Sequence, residues 1–247
     1  MIRKRTYLLC WLLAGMIQIN AEPLKVFVLA GQSNMVGKRG DALALPQEMK
    51  GVQQNLFFKK SAWVPLAPGV SEKRGFGPEI SFAYAMGEYL GEPVGIIKHS
   101  SGGTSLAKRW DPSAEKSLYQ MLLNKVKDAQ KSRDIEILGM LWMQGEADSK
   151  NQQDAEAYAE NFKNFIYTAR EDFGSPEMIF IAGRVNPTAE KYPFVDIVRA
   201  AQENCAVDNY SFIDCDGLSK VSDQVHYDPV GLVEMGKLFA RAMKGHL

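Results

Sequence analysis

The chain reads as a single α/β domain, a parallel sheet covered by helices on both faces. Three observations carry this. Short runs rich in Val, Ile, Leu and Phe alternate with longer stretches of helical spacing. The runs are apolar on both faces, as strands buried from two sides are. The 247 residues suffice for one well-cored domain and are short for two.

In chain order, "KVFVLA" (25–30) is the first buried strand. Segment 37–78 is rich in Gly and Pro and reads as a long loop region. "PEISFAYAMGEYL" (78–90) opens with Pro and shows helical spacing at Ile80, Tyr84 and Leu90. "PVGIIK" (93–98) is a second strand. Residues 113–131 are helical, with Leu118, Met121, Leu122 and Val126 on one stripe. "IEILGMLWM" (135–143) is a third strand, followed by an amphipathic helix over 154–173 that turns Tyr158, Phe162, Phe165 and Ile166 inward. A strand at 177–183, a helix at 193–204 and a strand at 210–214 follow. The last helix opens at Asp228-Pro229, a capping residue before a favoured first-turn proline, and runs to about Lys244. That makes about five strands with intervening helices.

Composition excludes some partners. Lys+Arg and Asp+Glu are 29 each, so no basic surplus draws the chain to nucleic acid or an anionic membrane. The N-terminus is distinct: Arg3, Lys4 and Arg5 precede the apolar run Tyr7 to Ile19, too short to span a bilayer comfortably. This reads as a signal peptide over 1–21, with the mature domain over 22–247 exported and free of the membrane once processed. Cys205 and Cys215 remain after processing, either as one bridge or as two buried thiols. No metal-ligand spacing occurs.

Open parallel sheets bind ligands beyond the carboxyl ends of their strands. Four polar clusters sit there. They are Gly31-Gln32-Ser33-Asn34, His99-Ser100-Ser101-Gly102-Gly103-Thr104, Gln144-Gly145-Glu146-Ala147-Asp148, and the Asp223 to His226 loop. A serine needs a base to attack a carbonyl at neutral pH. Of three histidines, His246 is penultimate and frays, and His99 precedes a Gly-rich loop and reads as structural. His226 lies three residues after Asp223, whose carboxylate can take the Nδ1 hydrogen and leave Nε2 for Ser33. The developing oxyanion needs donors: the Ser33 N–H, an amide of Gly102 or Gly103, and the Gln144 side chain are candidates. Glu146 and Asp148 order their loop or meet substrate polar groups. Gln32 and Asn34 support the serine or meet substrate. Trp110 stacks on a sugar or packs under its loop.

"AGQSNMVG", "HSSGGTSLAKRW", "LWMQGEADS" and "DQVHYDPVG" resemble the four blocks of the SGNH-type carbohydrate acetylesterases. The resemblance is to the sialate O-acetylesterase-like proteins and the acetyl-xylan esterases of carbohydrate esterase family 6. It spans residues 29 to 231, essentially the mature chain. It implies a three-layer α/β/α, flavodoxin-like fold, no cofactor, and an acetylated carbohydrate as substrate. By this resemblance Ser33 is the nucleophile, His226 the base and Asp223 its orienting partner. Ser33, a glycine of the 102–103 pair and Gln144 match the oxyanion positions. Wider SGNH relatives carry Asn where this chain has Gln144. The expectation is a serine esterase removing O-acetyl groups from sialic acid or xylan-type glycans. The alternatives are a silent carbohydrate-binding protein on the same scaffold and an esterase for non-sugar short acyl groups. Arg39, Arg74, Arg109 and Arg184 are candidates to meet a sialate carboxylate, against the ordinary reading of solvated surface charges.

Overall fold

A computed structural model describes residues 22–71 and 75–247. The signal segment expected over 1–21 and the candidate Arg74 lie outside the described residues. The sheet holds β1 (Leu24–Gly31), β2 (Leu56–Lys59), β3 (Ala62–Pro65), β4 (Gly95–Ser100), β5 (Ile135–Met143), β6 (Ile179–Gly183) and β7 (Tyr210–Ile213). Its order is β3-β2-β4-β1-β5-β6-β7. The five expected strands run parallel in the order β4-β1-β5-β6-β7, the flavodoxin-like arrangement.

The other two strands come from the segment read as loop. β2 extends the sheet beside β4, and β3 folds back antiparallel as an edge. Phe57 faces Val64 and Phe58 faces Trp63 across the hairpin, the second pair with ring centroids 5.1 Å apart. Its two-residue turn is Lys60-Ser61, with φ of 51° and 59°. Such turns usually carry Asn-Gly, so the sequence hides the hairpin.

The helices are α1 (Ser33–Val36), α2 (Glu79–Leu90), α3 (Leu118–Ser132), α4 (Gln152–Glu156), α5 (Tyr158–Asp172), α6 (Val195–Glu203) and α7 (Pro229–Lys244). α2 and α7 cover one face. Phe27 of β1 meets Phe82 of α2 edge-on at 5.0 Å. Gly236 lets α7 touch α2, since a Cβ there would lie 2.1 Å from Ser81 Oγ. Ser81 Oγ donates to Val233 O across the contact. α3 and α5 cover the other face, where Tyr119, Trp142 and Phe165 interlock. Each edge-to-face pair there adds about 1 kcal/mol beyond area burial.

Three helix readings shift. α3 starts at Leu118, because Ser117 caps it by accepting from Gln120 N, at 3.2 Å. Its buried arc centres on Tyr119, Leu122 and Val126, which turns Met121 to solvent. The helix expected over 154–173 breaks at Ala157 into α4 and α5. The break lets Tyr158 enter the core, where its hydroxyl donates to Gln144 O and accepts from Trp142 Nε1.

β1 leads the chain toward β4, and the chain later crosses to β5. The crevice between β1 and β5 is therefore the switch point, where open sheets bind ligands. Gly31 ends β1 there at φ 144°, and a Cβ on it would lie 2.1 Å from Met143 O. Only glycine permits this approach. Gln32 N then donates to Met143 O, and α1 begins at once with Ser33 at the rim.

Candidate active site

Three loops meet at this rim. The Asp223–His226 loop, just before α7, is a tight turn closed by its own carboxylate. Asp223 Oδ1 accepts the N–H groups of Val225 and His226, both at 2.9 Å. Oδ2 faces His226 Nδ1 at 2.8 Å, and His226 Nε2 lies 3.0 Å from Ser33 Oγ. With Nδ1–H donating to Asp223, Nε2 carries the lone pair that accepts the Ser33 O–H. Partial burial raises the Asp223 pKa, but the His226 backbone and ring bonds and the Val225 N–H outweigh it, so the carboxyl sits well below its ordinary range. Arg39 reaches the same Oδ2 at 3.5 Å.

Asn34 ties the loops together. Its amide donates to Glu146 Oε1 and Val225 O and accepts from Tyr227 N. Glu146 is fully buried beside it, with Gln32 adjoining, and burial pushes its carboxyl above the ordinary range against the bonds it receives. Gly102 lies against Ser33, where an added Cβ would sit 3.5 Å from Ser33 Cβ. Gly103 adopts φ 70° and faces open space. As the first residue of α1, Ser33 has an N–H with no intrahelical acceptor.

One expectation is corrected, and one open alternative is decided. Gln144 does not offer its amide to the cleft. It is fully buried, and Nε2 gives its hydrogens to Thr104 O at 2.9 Å and Asp148 Oδ2 at 2.5 Å. Trp110 does not stack on substrate. It is fully buried edge-on against Trp142 and His99, with Nε1 donating to Thr104 Oγ1. It supports the loop from below. Asp148 does order its loop, accepting from Leu106 N and Ala107 N.

The cleft over Ser33 has a volume of about 790 Å³. Beyond Gln32, Ser33, Gly102, Gly103, Glu146 and His226 it exposes residues the sequence reading passed over: Lys38, Lys108, Lys150 and Tyr192. Their signal was faint, since single lysines in loops look like any surface charge. Lys108 pairs with Asp154 at 2.7 Å, and Lys150 lies over the Tyr192 ring at 5.1 Å. Arg109 lines the cleft, whereas Arg184 is held elsewhere by Glu203, Asp214 and Asp216. Cys205 and Cys215 are free thiols, and His246 rests on Ser211 Oγ at 3.0 Å. Among the described residues no group of three or more His, Cys, Asp or Glu is placed to hold a metal.

His99 stands outside this constellation. Burial, with help from the Lys125 charge, lowers its pKa to about 4. An unfolded histidine titrates near 6.5. Between these values the unfolded chain binds a proton the folded one refuses, so stability falls as pH drops from about 6.5 to about 4. His99→Gln removes this slope, by an amount on the order of 2 kcal/mol across the window. Urea melts from pH 7 to pH 4 measure it; parallel curves for both proteins contradict the assignment.

The family model for "Carbohydrate esterase, sialic acid-specific acetylesterase" matches residues 23–245. A probable carbohydrate esterase of Arabidopsis thaliana is 28% identical over 248 residues, covering 92% of each chain. The crystal structure of the Arabidopsis protein superposes with a TM-score of 0.79 at 26% identity, covering 90% of this chain and 98% of that one. NanS superposes at 0.74 with 15% identity, covering 91% and 97%. A carbohydrate acetylesterase from Xanthomonas citri superposes at 0.69 with 17% identity, covering 89% of this chain and 55% of that one. With a match that runs from the first strand to the end of the last helix, the chain belongs to the sialic acid-specific acetylesterase family of carbohydrate esterases, a family of carboxylic ester hydrolases.

Proposed function

We propose that the chain removes O-acetyl groups from an acidic sugar of the sialic acid type, with Ser33 as nucleophile, His226 as general base and Asp223 as its orienting partner. One observation carries this reading: the unbroken contact from Asp223 through His226 to Ser33 at the mouth of the cleft. Ser33 Oγ attacks the acetyl carbonyl while His226 Nε2 takes its proton. The oxyanion of the tetrahedral intermediate receives the Ser33 and Gly102 N–H groups. Collapse expels the sugar oxygen, which takes the proton from His226. Water, deprotonated by His226, then attacks the acetyl-enzyme and releases acetate and free Ser33.

The choice of an acidic sugar rests on the outer cleft. Lys38, Arg109 and Lys150 line it, and none meets a carboxylate within 4 Å among the described residues. A sugar carboxylate supplies the missing counter-charge, which a neutral xylan does not. The test is acetate release from O-acetylated sialic acid and from acetylated xylo-oligosaccharide. The expected result is a preference for the acidic sugar. Arg109→Ala combined with Lys150→Ala raises KM for that substrate about tenfold, the equivalent of one partly exposed charged contact. KM for the neutral substrate stays unchanged. Equal effects on both substrates defeat the acidic-sugar reading and leave the acetylesterase reading standing.

A further inference from the structure

A second crevice opens at the same carboxyl edge of the sheet, on the other flank of β4. β2 pairs with β4 only at Leu56–Gly95 and Phe57–Ile96; beyond those pairs the two strands part. The gap, about 350 Å³, is lined by Lys59, Lys60, His99, Ser100 and Lys125 among others, and no carboxylate lines it among the described residues. Lys98 also borders it but is neutralised by Glu79, at 2.6 Å.

The remaining amines have no carboxylate within 4 Å among the described residues. Lys125 reaches in from α3, is half-buried, and donates to Lys98 O at 2.7 Å. Burial, then the charge of Lys98, lowers its pKa. Lys59 Nζ donates to Val70 O at 2.5 Å. A carbonyl satisfies an N–H but does not neutralise an ammonium; Lys59 is exposed and keeps its water, whereas the partly buried Lys125 bears part of the cost of an unpaired charge. The half-buried His99 ring forms part of the crevice wall, and its Nε2 has no hydrogen-bond partner among the described residues. Lys60 stands at the hairpin tip in the left-handed region and lines the crevice.

We propose that this crevice is an oxyanion-binding site, separate from the Ser33 cleft, that takes a phosphate or a sugar-borne carboxylate between Lys60, Lys125 and His99. The anion supplies the counter-charge for both amines and lies against the His99 ring that lines the crevice. The site stands apart from the esterase reading, because none of these three residues touches Ser33 or His226.

The experiment titrates inorganic phosphate, and separately glucuronate, into the full chain at ionic strength held constant with sodium chloride, and follows the melting temperature. The expected result is a saturable rise. Lys60→Ala and Lys125→Met each weaken the response at least tenfold. Lys60 is exposed on a turn, so its replacement leaves the fold in place even where loss of Lys125 disturbs it. Lys191→Ala, an exposed lysine outside both clefts, leaves the response unchanged. A response to both probes assigns the site to sugar carboxylates as well as free anions; a response to phosphate alone assigns it to the free anion. No saturable rise, an equal rise in wild type and Lys60→Ala, or loss of the rise in Lys191→Ala overturns the proposal.

Discussion

Ser33→Ala lowers the rate of acetate release by about 10⁵-fold, a loss of roughly 7 kcal/mol of transition-state stabilisation. The variant deletes one oxygen atom. It leaves Gly102, the Ser33 backbone N–H and the cationic outer cleft in place, so KM for an acetylated sugar changes little. The lost hydrogen bond to His226 is worth about 1 kcal/mol to stability, so the melting temperature moves by a few degrees at most. Activity and stability thus separate in one substitution. His226→Ala added to Ser33→Ala costs almost nothing more, since a base without a nucleophile has no proton to take. The measurement is saturating acetate release for both variants and wild type, with a thermal melt of each. A Ser33→Ala enzyme retaining even a hundredth of wild-type activity means that another group attacks the ester.

The elements that position this chemistry are those the sequence displays most openly. β1 and β5 are central and buried on both faces, so their apolar runs are continuous, and the polar residues that follow mark where the chain leaves the sheet. α7 announces itself through Asp228 and Pro229. The edge is harder to read. β2 and β3 hold four residues each, and their turn carries Lys60-Ser61 where a glycine would have signalled it. Burial of polar and amphipathic side chains is also invisible in one dimension. Trp110 has the composition of a sugar platform, yet Thr104 satisfies its indole N–H and three aromatic rings enclose it. Gln144 sits where a donor was expected. Its amide is consumed because Asp148, four residues on, folds back beneath it, a contact no local pattern encodes.

That contact gives Asp148 the second large effect. Asp148→Asn lowers kcat about 100-fold while KM stays within about threefold. The carboxylate is buried, and three donors converge on it: Leu106 N at 2.9 Å, Ala107 N at 3.1 Å and Gln144 Nε2 at 2.5 Å. Burial raises its pKa, and the Ala107, Gln144 and Leu106 bonds oppose the rise. Residues 104 to 107 follow Gly102 and Gly103 directly, and Gln144 fastens the same loop through Thr104 O. On the proposed mechanism Asp148 holds the loop that carries Gly102 without touching substrate itself, which makes it a positioning residue. An asparagine keeps one acceptor oxygen and turns an amide NH₂ toward a backbone N–H, leaving a buried donor unpaired at a cost of about 1–3 kcal/mol. The loop relieves that clash by moving, and a misplaced oxyanion donor forfeits about 3 kcal/mol in the transition state. The planar ester gains little from that donor, so its binding survives. A boronic acid that mimics the tetrahedral adduct reports the difference: its affinity for Asp148→Asn falls in parallel with kcat, in protein shown by a melt to be folded at the assay temperature. A variant with wild-type kcat, or one in which KM alone moves, returns Asp148 to the role of an ordinary loop fastening.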